Sequence, residues 1–341
     1  MTSNTLINTD VKPRLGFLGT GWIGLNRMKA LLEKGICSAS GVCDTLPENA
    51  SRAKEAADGA VVYDTLEEML EATPDGIVIA TPSALHYEQC LLALKRGVPV
   101  FCQKPLARTA AESREIIDTA RKKDKLLSID LSYRYTHGMQ QIEQLVRSGE
   151  LGEVYAADLT FHNAYGPDKA WFYSPRLSGG GCIIDLGIHL VDLAMWMMEF
   201  PDVKNVSSFL TSGGKVIYDP SATSEDFASA QIETLTGSVI RITCSWNLPA
   251  GRDAEIKAAF YGTKASAVFE NVSGSFFDFE ARLNHGTSSR VISLPPDDWG
   301  GRALIAWTEK LRESSGFDEE VSSYEKVAAV IDRIYGRTPG E

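Results

Sequence analysis

Residues 15–24 read LGFLGTGWIG. Arg14–Leu18 is a short apolar run of strand type, and Ile23–Lys34 has the pattern of a helix that Gly35 is placed to end. Between strand and helix lie Gly19, Thr20, Gly21, Trp22, Ile23 and Gly24, a G-x-G-x-x-G turn in the one context where that spacing carries meaning. The first glycine allows the tight turn, and the second lets backbone approach a pyrophosphate. The third lets helix pack close to strand, and the helix N-terminus faces phosphate charge. Asp44 ends the next strand-like run, Ser40–Asp44, where a carboxylate can accept both ribose hydroxyls of NAD. An isolated G-x-G-x-x-G is often an ordinary turn. The strand, the helix and Asp44 together point to a dinucleotide.

Working outward, the grammar stays the same to about residue 130. Thr65–Glu71 reads as a short helix, Gly76–Ala80 as a buried strand and Leu85–Arg96 as a helix stopped by Gly97. Strand Val98–Cys102, helix Ala110–Lys123 and strand Leu126–Asp130 follow. Strands alternating with helices imply right-handed crossovers and a doubly wound α/β domain with a parallel sheet. Beyond residue 131 the pattern changes. A helix at Met139–Ser148 and a strand at Val154–Phe161 precede a Gly-rich turn and a long helix from Cys182 to Met198. Strand-type runs then follow one another without helices, at Ala228–Glu233, Ser238–Asn247 and Lys257–Tyr261, with turns at Thr236-Gly237, Gly262-Thr263 and Ser273-Gly274. That succession predicts an antiparallel sheet. Two helices, Arg302–Glu313 and Glu319–Tyr335, close the chain. The expected organisation is a Rossmann domain at 1–130 and an α+β domain at 131–341, with packing of the helices in 302–335 back onto the first domain left open.

The bulk composition bounds the function. A chain of 341 residues has room for two domains, at roughly 150 residues each. Its 23% charged and 44% apolar residues are those of an ordinary globular protein. A formal charge of −11 argues against nucleic acid or an anionic membrane, which call for clustered Lys and Arg. The six cysteines form no Cys-x-x-Cys pair and read as buried thiols in a reducing compartment. The first dozen residues lack the apolar core of a leader, and no apolar run approaches the ~20 residues that span a bilayer. The expected location is the cytoplasm.

Two further segments carry chemistry. Gln103-Lys104-Pro105 emerges from strand Val98–Cys102 at the sheet edge where ligands bind in open α/β folds. A lysine there can donate to a substrate hydroxyl or stabilise a developing alkoxide; the bland alternative is a solvated surface lysine. Asp185 and His189 are four apart, so a helix would put them on one face, after the flexible Gly179-Gly180-Gly181. A histidine can take a hydroxyl proton near neutral pH. A core histidine is the competing reading, and a zinc site lacks a third ligand by spacing, so no metal is expected. His86, after Thr81 and Pro82, lies at another strand end, where ribose contact and helix capping are both open. Arg134 and Tyr135 face substrate or tie the domains together. Trp171, Trp246 and Trp299 stack on a sugar ring or fill the core. His162 is a further substrate candidate.

In this order the segments LGFLGTGWIG, GVCD, ATPSALHYEQCLLALKRGVPVFCQKPL, LSYRY and WFYSPRLSGGGCIIDLGIHLVDLAMW resemble the glucose–fructose oxidoreductase, inositol dehydrogenase and rhizopine-catabolism (Gfo/Idh/MocA) family. The resemblance covers most of the first 200 residues. It implies a Rossmann domain followed by a domain with a large, open, mostly antiparallel sheet that often makes a homodimer or homotetramer. It implies hydride transfer between NAD, or less readily NADP, and a hydroxyl-bearing carbon of a sugar or cyclitol. Lys104, His189 and Asp185 match the family's catalytic lysine, acid/base histidine and substrate-orienting aspartate. The implied cofactor set is Gly19–Gly24, Asp44, Thr81, Pro82, His86, Gln103 and Lys104. Two alternatives stay open: an NAD-dependent glycosidase using transient oxidation, and a nucleotide-binding sugar sensor. One departure stands out. The family usually has Glu-Lys-Pro where this chain has Gln103, which keeps an acceptor and loses a charge beside Lys104.

Overall fold

The computed structural model describes residues 12–337. Residues 1–11, most of the stretch read above as lacking a leader, and 338–341 lie outside the described residues. The chain forms two compact units: residues 12–107 with Glu112–Ser132 and Gly300–Ser322, and Arg108–Ala111 with Tyr133–Trp299 and residues 323–337. Of the two closing helices, the first therefore belongs to the first unit and the second to the second.

The first unit runs β1 (Arg14–Leu18), α1 (Trp22–Lys34), β2 (Ser38–Cys43), α2 (Pro47–Ala56), β3 (Val61–Val62), α3 (Leu66–Glu71), β4 (Gly76–Ile79), α4 (Ser83–Lys95), β5 (Val100–Cys102), α5 (Ala110–Lys123) and β6 (Leu127–Ile129). All strand pairs are parallel, in the order β3-β2-β1-β4-β5-β6. The order reverses direction between β1 and β4, the switch point at which this topology opens a crevice. Leu15, Ile77, Ile79 and Val100 are fully buried, as continuous apolar strands covered on both faces should be. Sequence patterning passes over α2 and β3. Only Ala50 and Ala53 are buried on α2, too small an apolar stripe to register as a period, and β3 is two exposed valines at the sheet edge. The helix Arg302–Glu313 lays Trp307 against this sheet, 5.8 Å from the Phe101 ring. A side chain at Gly76 would come within 2.7 Å of that indole.

The second unit contains α6 (His137–Arg147), β7 (Val154–Asn163), α7 (Pro175–Ser178), a π-helical turn (Ile183–Gly187), α8 (Ile188–Met197), β8 (Val203–Ser212), β9 (Lys215–Val216), β10 (Phe227–Thr234), β11 (Val239–Ser245), β12 (Ala254–Gly262), β13 (Ser266–Asn271), β14 (Phe279–His285) and β15 (Ser288–Ser293). The helix Arg302–Glu313 is α9, and α10 (Tyr324–Ile334) returns to this unit. Nine strands form one sheet in the order β15-β14-β13-β12-β7-β11-β10-β8-β9. The pairing is antiparallel except at β7 and β11, which run parallel. The reason is connectivity: the segment from residue 164 to 202, with its helices, separates β7 from the hairpins that follow, so β7 is not joined to a neighbour by a tight turn.

Alternate residues of β10 (Ala228, Ala230, Ile232) and β11 (Ile240, Ile242, Cys244) are buried, giving the sheet one covered face, on which α8 and α10 pack. The expectation that no apolar run reaches membrane-spanning length needs correction. Pro175–Met197 is long and apolar enough by composition, and 89% of its most apolar window is buried inside the fold. It is apolar because α8 is core: every residue of that helix except Trp196 is buried, including His189 and Asp192.

Candidate active site

The first unit builds its site from strand ends. Successive backbone bonds tie the carboxyl edge together: Gly19 N–H to Cys43 O, Ala80 N–H to Leu18 O, Gln103 N–H to Ile79 O and Asp130 N–H to Cys102 O, each 2.8 Å. Five neighbouring strands therefore release Gly19, Asp44, Ala80, Gln103 and Asp130 in one row. Gly19 has φ +80, the left-handed region that glycine enters freely. A Cβ on Gly24 would overlap the Gly19 carbonyl oxygen, whereas one on Gly21 would meet nothing within 4 Å. The third glycine is thus required for packing, and the second faces open space at the N-terminus of α1. That is the cradle a pyrophosphate needs, with the helix dipole behind it, so the residues present fit NAD.

Asp44 is anchored before any ligand arrives. Its Oδ2 accepts Thr20 N–H at 2.7 Å and Thr20 Oγ1 at 3.3 Å, and its Oδ1 accepts Leu46 N–H at 2.9 Å and Asn49 Nδ2 at 3.3 Å. Two ribose hydroxyls would have to displace the two longer side-chain bonds. Thr81 donates its hydroxyl to Gln89 at 2.6 Å, and Pro82 precedes α4 at the exposed rim.

His86 is held by backbone on both sides of its ring. Its ring is buried, with Nδ1 2.7 Å from Pro105 O and Nε2 2.8 Å from Thr81 O. With both ring nitrogens on backbone carbonyls, it staples the Thr81 and Lys104-Pro105 loops together. Burial pulls its pKa below the ordinary imidazole value, against the two carbonyls, which favour the protonated ring.

Gln103 uses its amide in a way the sequence did not suggest. Its Nε2 donates to Asp130 Oδ2 at 2.8 Å, and its Oε1 accepts the Lys104 backbone N–H at 3.0 Å. Arg27 of α1 donates Nε to the same Asp130 oxygen at 2.7 Å. Asp130 is fully buried. Sequence analysis read it only as the end of a strand, and the one clue was an acid closing an otherwise apolar run.

In the second unit the Gly-rich turn is held by a buried carboxylate. Glu225 accepts Gly181 N–H at 3.0 Å, Ile183 N–H at 2.8 Å and the Tyr335 hydroxyl at 2.8 Å. The Tyr335 oxygen in turn accepts the N–H groups of Gly181 and Ile184, both at 3.2 Å. The helix start thus finds partners for its orphan N–H groups, with negative charge at the favourable end. A Cβ on Gly181 would overlap Glu225 backbone, which is why this turn is glycine. Burial pushes the Glu225 carboxyl above its ordinary value despite these donors.

Asp185 sits in the π-helical turn and His189 in the first turn of α8, so the i,i+4 face expected of one α-helix is interrupted between them. π-turns recur at functional positions. Asp185 is half-buried and accepts the Trp246 indole N–H at 3.1 Å. Tyr173 stands beside it: partial burial first, then the Asp185 charge, raise the phenol above its usual value. Trp171 stacks on Phe172 at 3.8 Å, and Tyr173 meets Trp246 edge-on at 5.4 Å. His189 packs edge-on against Tyr133 at 4.9 Å.

The remaining substrate candidates divide. Arg134 is corrected: it is buried, donates Nε to Asp192 Oδ2 at 2.8 Å, and lies over the Trp196 and Phe200 rings at 5.6 and 5.4 Å. Its guanidinium serves the packing of α8. Trp299 is core, its ring tilted against Tyr133 with centroids 5.1 Å apart. His162 is half-buried on β7, bonded to Ser245 Oγ at 2.7 Å, and burial lowers its pKa. Tyr135 is half-buried as the last residue of a 3-10 turn, Ser132–Tyr135. Among the described residues no three of His, Cys, Asp and Glu gather as metal ligands.

Comparison with known proteins gives this geometry its relatives. Residues 13–131 match the model described as "Oxidoreductase family, NAD-binding Rossmann fold", and residues 139–268 match the "GFO/IDH/MocA C-terminal domain". D-glucoside 3-dehydrogenase of Escherichia coli K12 is 35% identical over 66% of this chain and 68% of its own length. The rhizopine catabolism protein MocA of Rhizobium meliloti is 32% identical over 61% of this chain and 65% of its own length. A levoglucosan dehydrogenase solved with NADH and levoglucosan superposes with a TM-score of 0.81 over 96% of this chain and 97% of that one, at 18% identity.

Proposed function

Because the chain belongs to the Gfo/Idh/MocA family of oxidoreductases and carries that family's NAD-binding Rossmann domain, we propose that it oxidises a ring hydroxyl of an uncharged sugar, glucoside or cyclitol. The observation that carries this reading is the row of strand ends in the first unit, where Gly19, Asp44, Thr81 and Lys104 leave one sheet edge around an open glycine turn.

Bound NAD supplies the hydride acceptor. The chain does the rest. His189 takes the hydroxyl proton, Lys104 donates to the oxygen as negative charge develops on it, and Asp185, held by Trp246, accepts from neighbouring hydroxyls. Trp171, Phe172 and Tyr173, backed by the buried Trp246, offer apolar faces to the C–H side of a sugar ring, while Asp185 supplies the convergent polar contact.

Two further readings accompany this one. We assign the enzyme to a reducing compartment, the cytoplasm, a reading supported by six free, buried cysteines. We also assign it a homodimer or homotetramer formed through the uncovered face of the nine-stranded sheet. There Asp158, Thr160, Ser207, Phe209, Ser229 and Gln231 line a shallow groove, with half of Phe209 exposed.

The test is a panel of glucosides, free sugars, anhydrosugars and cyclitols, each incubated with NAD and followed at the absorbance of reduced nicotinamide. Net reduction with one group of related ring hydroxyls is the expected result. Release of an aglycone without net reduction would assign a glycosidase instead, and nucleotide binding without turnover of any sugar would assign a sensor.

A further inference from the structure

Gln103 lies between two groups that make opposite demands on it. On one side Asp130 is fully buried, with Oδ2 already accepting Arg27 Nε at 2.7 Å and Oδ1 without a hydrogen-bond partner among the described residues. A carboxylate so placed calls for donors. On the other side the Lys104 backbone N–H calls for an acceptor, which Gln103 Oε1 supplies at 3.0 Å. The glutamine amide offers both, a donor and an acceptor on separate atoms at the end of a side chain long enough to meet the two groups. A glutamate would keep the acceptor but turn its second oxygen towards Asp130, setting two carboxylates in hydrogen-bond contact, where they cannot both ionise without a large penalty.

We propose that Gln103 is a positioning residue for Lys104: its amide bridges the buried Asp130 carboxylate to the lysine's own backbone, and Asp130 with Arg27 is what makes glutamine necessary at position 103. The bridge links three elements. Arg27 comes from the helix that opens at the glycine turn, Asp130 ends β6, and Gln103 ends β5, so the lysine backbone is braced against both flanks of the sheet edge. The inference rests on the reading that Lys104 acts on the substrate oxygen.

The test uses the full-length chain as Q103E, D130N and the double variant Q103E/D130N, with K104M as reference. Turnover of the best sugar in the panel by the wild type, lost in K104M, establishes the reading on which the inference rests. Q103E is then expected to lose about tenfold or more in kcat at alkaline pH, where the introduced carboxylate and Asp130 are both charged. Activity should recover towards acidic pH as the two carboxylates capture a proton and regain a donor. The other groups facing this pair are Arg27 from α1, which favours the charged forms, and the Cys102 thiol of β5, which burial keeps neutral; Lys104 is the next residue along the chain. In Q103E/D130N the asparagine amide donates to the introduced carboxylate and its oxygen still accepts Arg27, so kcat and the wild-type pH profile should return.

Melting temperatures of the wild type, the two single variants and the double variant form a double-mutant cycle that reads the same pair whether or not a turned-over sugar has been found. D130N is expected to restore much of the stability that Q103E loses. Should Q103E fail to fold, recovery of a folded Q103E/D130N supports the pairing and continued failure overturns it. Wild-type kcat and pH profile in Q103E overturn the proposal, and so does a double variant no more active or stable than Q103E. Wild-type turnover in K104M overturns instead the reading of Lys104, and the melting cycle then still decides the Gln103–Asp130 pairing.

Discussion

The Asp44 carboxylate accepts the backbone N–H of Thr20 at 2.7 Å, which fastens the acid that closes β2 to the glycine turn opening α1. Leu46 N–H holds its other oxygen at 2.9 Å. An anion fixed by two backbone donors cannot swing away from a 2′-phosphate, and Arg52, which could offset it, is bonded to Asn49 at 2.5 Å. NAD should therefore bind at least about tenfold tighter than NADP, a difference of about 1.4 kcal/mol. Dissociation constants from fluorescence titration check this, and equal or tighter NADP binding would refute it.

Lys104→Met and His189→Ala should each fold and bind NAD while turnover falls by about 10²-fold, the scale of a lost proton-transfer group. Asp185→Ala should raise the Michaelis constant as well, since this side chain is assigned to substrate hydroxyls. Steady-state kinetics beside circular dichroism and NAD titration separate the three. A Lys104→Met enzyme with near-normal turnover would remove the lysine from the mechanism.

Glu225→Gln should destabilise the second unit by about 1–3 kcal/mol, because an amide has one acceptor oxygen for three donors and turns its NH2 against one of them. The pH dependence has a definite sign. Burial raises the folded carboxyl above 4.5, so the folded chain holds this proton more tightly than the unfolded one. The group's contribution is fully present below about pH 4.5 and is lost as pH rises through the folded value. Melting curves across acidic pH should show that decline in the wild type and not in the Gln variant.

Arg134→Met removes the guanidinium that meets the buried Asp192 carboxylate, and breaking a buried ion pair costs about 3–5 kcal/mol. The expected signature is a large drop in melting temperature with the Michaelis constant little changed in the protein that remains folded. A raised Michaelis constant at unchanged stability would return Arg134 to the substrate.

Gly24→Ala should abolish tight NAD binding and lower stability by about 1–3 kcal/mol, the usual range for overpacking. The new methyl meets backbone at Gly19, so neither partner can give way by a rotamer change. Calorimetric titration with NAD and a thermal melt read both effects.

Much of this molecule was legible before its fold was known. The residues at 14–24 define strand, turn and helix by local backbone chemistry alone, and Gly19, Gly24, Asp44 and Lys104 fall at the strand ends where their spacing put them. Patterning missed α2, whose buried face is two alanines, and merged the π-turn at Ile183–Gly187 into one helix, since an extra residue per turn leaves the apolar composition unchanged. The second sheet is mostly antiparallel, as expected, but its one parallel pair was not legible, because the partner of β7 is a strand more than seventy residues later.

What the sequence determined by itself was therefore the class of site: a Rossmann turn, a lysine at a sheet edge, and an aspartate and histidine on a helical segment. These follow from periodicities of two and 3.6 residues and from glycine's freedom, all properties of neighbours along the chain. Only the tertiary structure decided which polar side chains are already committed. Arg134 is spent on Asp192, His86 on two backbone carbonyls, Glu225 on a glycine turn, and Gln103 on Asp130, 27 residues away. A buried polar group must find a partner wherever the fold supplies one, and that partner has no required distance in sequence.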